Sequence, residues 1–184
     1  MRAIKTYLAL SLLVLLFFSC QNDLKESVVF YSNDKLVETL SVKIQDTEGN
    51  TIPVQSTEIG LNKSSFFNEN IQYLTELDVT EMSVKVINQN NVSNLSAKTN
   101  EVKGFKIFLD EIDITSKIGI TSLQAKGDTN LTFRVTDSSL LSTISSKLLQ
   151  RNKVIVSYKS DVNSNSQLDF QLEFSLAIKG TFVD

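Results

Sequence analysis

Between Leu168 and Ile178 every second residue is large and apolar: Leu168, Phe170, Leu172, Phe174, Leu176 and Ile178. Asp169, Gln171, Glu173, Ser175, Ala177 and Lys179 alternate with them. A helix, turning about 100° per residue, would scatter these apolar side chains around its surface. A strand places them all on one face. The stretch is therefore a strand with one buried side. Shorter alternations recur at Leu40/Val42/Ile44, Met82/Val84/Val86, Phe105/Ile107/Leu109, Leu131/Phe133/Val135 and Val154/Val156/Tyr158, with a further short strand expected at Val28–Tyr31. Asp46-Thr47-Glu48-Gly49-Asn50 reads as a hairpin turn between Leu40–Ile44 and Ile52–Val54. Pro53, the only proline, cannot donate to a ladder and marks an edge strand.

One segment breaks the alternation. Leu140, Leu141, Ile144 and Leu148 share one helical face, with Asp137 placed to cap the start and Lys147 and Arg151 near the negative end of the dipole. The pattern predicts an amphipathic helix over 138–150 that covers one end of the sheets. A second, less regular helical spacing runs over Phe67–Leu77 through Phe67, Ile71 and Leu74. The fold class expected is all-β with minor α: a two-layer antiparallel β-sandwich, Ig-like in general form, of about seven or eight strands. An up-and-down barrel is the alternative.

Composition removes whole classes of function. Among 184 residues there is no histidine and one cysteine. Histidine-assisted nucleophiles, His-ligated metals, internal disulfides and paired-cysteine sites are thereby excluded. A net charge of -3 gives no electrostatic footprint for nucleic acid. The glycines form no phosphate-binding pattern. The sequence nominates no catalytic residue, no cofactor and no resident metal.

The amino terminus is more specific. Arg2 and Lys5 precede an uncharged apolar run, Tyr7 to Phe18, followed by Ser19-Cys20 and a polar stretch from Gln21 to Ser27. The run is shorter than the roughly 20 residues that span a bilayer and suits the apolar region of an export signal. Phe17-Phe18-Ser19-Cys20 occupies the position of a lipobox, and the segment resembles a bacterial lipoprotein signal. Ser19 fits the small residue next to the cysteine, while Phe17 and Phe18 depart from the stricter pattern. The resemblance implies removal of residues 1–19 and a diacylglycerol on the Cys20 thiol. Cleavage there removes Arg2 and Lys5 and no acid, which takes the net charge from -3 to -5. Such a surface is repelled by anionic lipid, so the acyl chains would have to anchor it, each buried CH₂ contributing about 0.8 kcal/mol. The domain plan is a signal at 1–19, a lipidated cysteine and tether at 20–34, and a β-sandwich at 35–184. It is also loosely similar to β-sandwich lipoproteins of unassigned function.

Other constellations have plainer readings beside the functional ones. Asp161, Asn163, Asn165 and Asp169 have the spacing of oxygen ligands in a calcium loop, but Ser166 replaces the turn glycine and Leu172 the final glutamate. A polar hairpin joining Val154–Lys159 to Leu168–Ile178 accounts for the same letters. Asp110-Glu111-Ile112-Asp113 suggests paired carboxylates, yet adjacent residues of an extended chain face apart, and a solvated strand end explains them. Ser32-Asn33-Asp34-Lys35 matches Ser-x-x-Lys without the companion motifs of penicillin-binding proteins. Asn88 to Asn100 is long for a turn and reads as a solvated or recognition loop. Asn62, Asn91, Asn94 and Asn130 open Asn-x-Ser/Thr triplets, which carry no meaning after a bacterial signal.

The function expected is a lipid-anchored lipoprotein of the bacterial outer membrane, a non-enzymatic binding or scaffold module for an envelope protein or glycan. The alternative is a carrier of a lipid or other apolar molecule, lined by the face of Leu168–Ile178 and partly roofed by Leu140–Leu148.

Overall fold

The computed structural model describes residues 27–44, 54–91, 101–102, 105–120, 123–124, 131–160 and 168–184. Their strands are β1 (Val29–Ile44), β2 (Gln55–Gly60), β3 (Leu74–Asn91), β4 (Glu101–Val102), β5 (Phe105–Leu109), β6 (Ile112–Asp113), β7 (Leu123–Gln124), β8 (Leu131–Val135), β9 (Lys153–Ser160) and β10 (Leu168–Val183). Three helices, α1 (Ser65–Glu69), α2 (Thr115–Ile118) and α3 (Ser138–Arg151), lie among them. Two four-stranded sheets, ordered β1-β10-β3-β8 and β2-β9-β5-β6, pair antiparallel throughout, and β4-β7 form a separate ribbon. This is the two-layer antiparallel sandwich that the alternation predicts.

β10 is central, flanked along its length by β1 and β3. Its apolar face is buried as expected: Phe170, Leu172, Phe174, Leu176 and Ile178 are each at most 2% exposed. They join Val154, Val156 and Tyr158 of β9, and Ile107 and Leu109 of β5, in one core. Each large side chain so removed from water contributes about 1.5–3 kcal/mol.

α3 fits its predicted span and spreads its contacts over β3 and β9, one strand from each sheet. Leu140, Ile144 and Leu148 are buried, and Leu141 packs at the margin. The Asp137 carboxylate accepts the Leu140 N–H at 3.0 Å, and Asn152 ends the helix in a left-handed conformation with φ 61. Ser145 lies on the buried face for a different reason. β3 carries one extra residue, Thr80, opposite the step from Ala177 to Ile178, so the ladder is interrupted beside Val79. The Val79 N–H donates to the Ser145 hydroxyl at 2.7 Å, and that hydroxyl donates to the Leu141 carbonyl at 2.9 Å. A bulge in the sheet is thus satisfied by the helix lying on it.

Three expectations are corrected. The helical spacing over Phe67–Leu77 does not form one helix: Phe67 lies in α1, Ile71 in a short 3-10 turn at Ile71–Tyr73, and Leu74 opens β3. Pairing of Leu74 with Phe182 favours the strand there. The hairpin expected between Val154–Lys159 and Leu168–Ile178 is not a hairpin, because β9 belongs to one sheet and β10 to the other; the one expected between Leu40–Ile44 and Ile52–Val54 falls largely outside the described residues. β1 and β2 likewise belong to different sheets; local turn chemistry does not encode which sheet the next strand joins. Finally, the strand expected at Val28–Tyr31 and that at Leu40–Ile44 are one 16-residue strand, β1, so the sheet begins within the segment assigned to the tether. Pro53 and the 46–50 turn lie outside the described residues.

Candidate binding groove at the sheet seam

β1 and β2 are edge strands of opposite sheets, and they lie side by side without a shared ladder. Side chains bridge the seam instead. The Gln55 amide accepts the Lys43 N–H at 2.9 Å and donates to the Lys43 carbonyl at 3.0 Å, taking the place of a strand partner. Two carboxylates of β1, the exposed Asp34 and the half-buried Glu38, alternate in phase with buried Leu36, Leu40 and Val42 at this edge. Asp34 accepts a short hydrogen bond from the Ser64 hydroxyl, which itself accepts the Phe67 N–H at 3.3 Å and caps α1. Glu38 is paired with Lys63 at 2.7 Å and accepts a longer bond from the Thr57 hydroxyl at 3.4 Å. Charges of this kind also keep an edge from pairing with foreign strands.

Above the seam is an open groove of about 650 Å³ lined by Glu38, Thr57, Glu58, Gly60, Asn62, Lys63, Asn68, Ile71, Asn152 and Lys153. Its far wall is a backbone junction in which the Leu61 N–H donates to the Asn152 carbonyl at 2.8 Å. Gly60 permits this close approach: a Cβ there would fall 2.5 Å from the Asn62 side-chain oxygen and 3.3 Å from the Asn152 carbonyl. Lys153 reaches both Glu58 oxygens, at 2.8 and 3.0 Å. Both glutamates are therefore matched by lysines. Among the described residues the side-chain amides of Asn62, Asn68 and Asn152 make no hydrogen bond to protein.

A second charged cluster has the opposite character. Asp110 and Glu111 form the turn between β5 and β6, with Asp110 at φ 51. The Asp110 carboxylate, 10% exposed, accepts the Ile155 N–H at 2.9 Å and pairs with Lys147 at 2.8 Å, while Arg151 stands at 4.0 Å. Desolvation pushes its pKa up, but the Lys147 and Ile155 hydrogen bonds and the charges of Lys147 and Arg151 outweigh it and hold the carboxyl below its ordinary value. Asp110 is thus not the solvated strand end that the sequence suggests. It ties the β5–β6 turn to β9 and α3. Asp113 turns elsewhere and accepts the Thr115 N–H at 3.0 Å, so these acids do not converge.

The remaining residues singled out from the sequence are placed as follows. Cys20, Asp161, Asn163 and Asn165 lie outside the described residues, and Asp169 sits in β10 opposite Lys43 in the backbone register. Among the described residues no group of acidic or cysteine side chains is arranged to hold a metal, and no helix is long and apolar enough to cross a membrane. Of the groove residues, Asn62 alone drew notice in the sequence, as a glycosylation triplet. Gly60, Asn68 and Asn152 carried no signal, because nothing local shows that they meet.

No family model matches the chain, and no curated protein does. Among solved structures it is similar to the decameric BFDV capsid protein, with TM-score 0.42 and 7% identity over 82% of this chain and 99% of that one. It is also similar to desmodium yellow mottle tymovirus, with TM-score 0.38 and 6% identity over 86% of this chain and 89% of that one.

Proposed function

We propose that the chain is a lipid-anchored lipoprotein of the bacterial outer membrane whose sandwich is a non-enzymatic binding module, with the seam groove as its recognition surface. The observation that carries the binding role is the row of uncommitted amides beside two already neutralised glutamates. Such a surface offers amide donors and acceptors without an unpaired charge. The signal ending at Cys20 supports the anchor. The carrier reading has less support: Phe170 to Ile178 pack with Leu140, Ile144 and Leu148 in one core, and the groove is lined mainly by polar side chains.

Two measurements test this reading. Cells fed labelled palmitate should label the protein, and Cys20→Ala should abolish the label and release the protein from the membrane fraction. No label, or retention of the variant, contradicts the anchor. Mild crosslinking of detergent-solubilised protein should capture a defined envelope component, and Asn62→Leu with Asn68→Leu should prevent the capture. Capture that ignores those substitutions contradicts the groove as the recognition surface.

A further inference from the structure

We infer that the groove recognises a neutral, hydroxyl-rich ligand, a short stretch of saccharide chain, in preference to any charged group. The inference rests on the binding role proposed for the groove and supplies its ligand class.

Charge is the first discriminator. The lining contributes two carboxylates and two ammonium groups, already matched as Glu38–Lys63 at 2.7 Å and Glu58–Lys153 at 2.8 Å. An anionic ligand at either lysine meets the paired glutamate beside it, whose charge offsets the attraction. At Lys63 that glutamate is 18% exposed, so its charge is screened less than that of Glu58. A cationic ligand meets the mirror arrangement, with a lysine beside each glutamate. A neutral ligand disturbs neither pair.

Hydrogen-bond inventory is the second. Each asparagine amide presents donors and an acceptor, and a hydroxyl presents one donor and two acceptor lone pairs. The uncommitted groups of Asn62, Asn68 and Asn152 match an array of hydroxyls, each able to donate to one neighbour and accept from the next. Apolar Ile71 stands at the margin, where the C–H face of a sugar ring can lie. The volume, about 650 Å³, falls within the range of roughly 300–1,000 Å³ usual for small-ligand sites.

A peptide added to the sheet edge is the less fitting occupant. At Lys43 both backbone groups are already taken by Gln55. Asp34 and Glu38 on the same strand oppose a further strand beside it.

The test uses the full mature protein, purified with its anchor in a detergent that has no sugar headgroup. Saturation-transfer NMR and calorimetry are run with maltotriose, cellotriose and tri-N-acetylchitotriose as neutral probes, and with trigalacturonate and chitosan trimer as charged ones. At least one neutral trisaccharide should bind, with an affinity that stays within about twofold as ionic strength rises through the screening range. The exposed substitutions Asn62→Ala and Asn68→Ala together should weaken it at least tenfold while the unfolding temperature holds. Gly60→Ala, which displaces the Asn62 side chain, should weaken it less. Silence from every neutral probe, tighter binding of a charged probe, or indifference to the asparagine substitutions overturns the inference. If the neutral probes are silent while crosslinked capture still requires Asn62 and Asn68, the saccharide assignment falls and the binding role stands. If both fail, the binding role falls too.

Discussion

Two clusters of charge lie on this sandwich, and they do different things with similar residues. At the β5–β6 turn, one nearly buried aspartate collects a backbone N–H, a lysine and an arginine. At the seam, two glutamates each take one lysine, and the neighbouring amides are left to solvent. The first arrangement commits its carboxylate to two cations and a backbone N–H and fastens three elements together. The second is balanced in charge and open in hydrogen bonding. A polar cluster that closes on itself is a staple, and one that leaves matched donors and acceptors outward is a candidate for recognition.

The largest effect is expected at the staple. Asp110→Ala strands Lys147 and frees the Ile155 N–H, and should cost about 2–3 kcal/mol, below the full figure for a buried pair because the site is partly solvated. Thermal unfolding measures it; a loss under about 0.5 kcal/mol removes the staple. The pH dependence sharpens the same point. The folded Asp110 pKa lies below its ordinary 3.8, so its stabilisation is present above that value and fades as pH falls through it toward the folded one. The difference in stability between the native protein and Asp110→Asn should be flat at neutral pH and shrink below about pH 4. A difference that grows on acidification has the wrong sign for this account.

Ser145→Ala should cost about 1–2 kcal/mol, since it leaves the Val79 N–H at the bulge without its acceptor. Chemical denaturation reads this, and native-state hydrogen exchange should locate the loss at Val79. Ser64→Ala, which removes the α1 cap and the partner of Asp34, should cost about 1 kcal/mol. The smallest effect belongs to the rim of the groove. Lys153→Met breaks a pair that is half exposed on both sides and should change stability by less than about 0.5 kcal/mol. A loss as large as that at Asp110 erases the distinction between the two regions.

Much of the scaffold was legible because burial on one face imposes period two. β10, β9 and β5 announce themselves through Leu172, Val156 and Ile107 and their neighbours, and α3 through Leu140, Ile144 and Leu148. β1 was only half legible for a physical reason. Asp34 and Glu38 stand on the face that also carries Leu36 and Leu40, so the apolar alternation is broken where the seam needs charge. Sheet membership was hidden because turn residues fix a reversal and not its destination. The groove was hidden because its parts are remote: Gly60 and Asn152 meet only when the end of β2 reaches the end of α3. Asp110 was misread for the same reason, its N–H partner being 45 residues away.

The most direct test places a photocrosslinking amino acid at Asn68, in the groove, and in a second strain at Ser139, on the exposed side of α3, in living cells. A discrete adduct is expected from Asn68, absent from Ser139 and lost when Asn62 is changed to leucine. No adduct at Asn68, or the same adduct from both positions, contradicts the groove as the recognition surface.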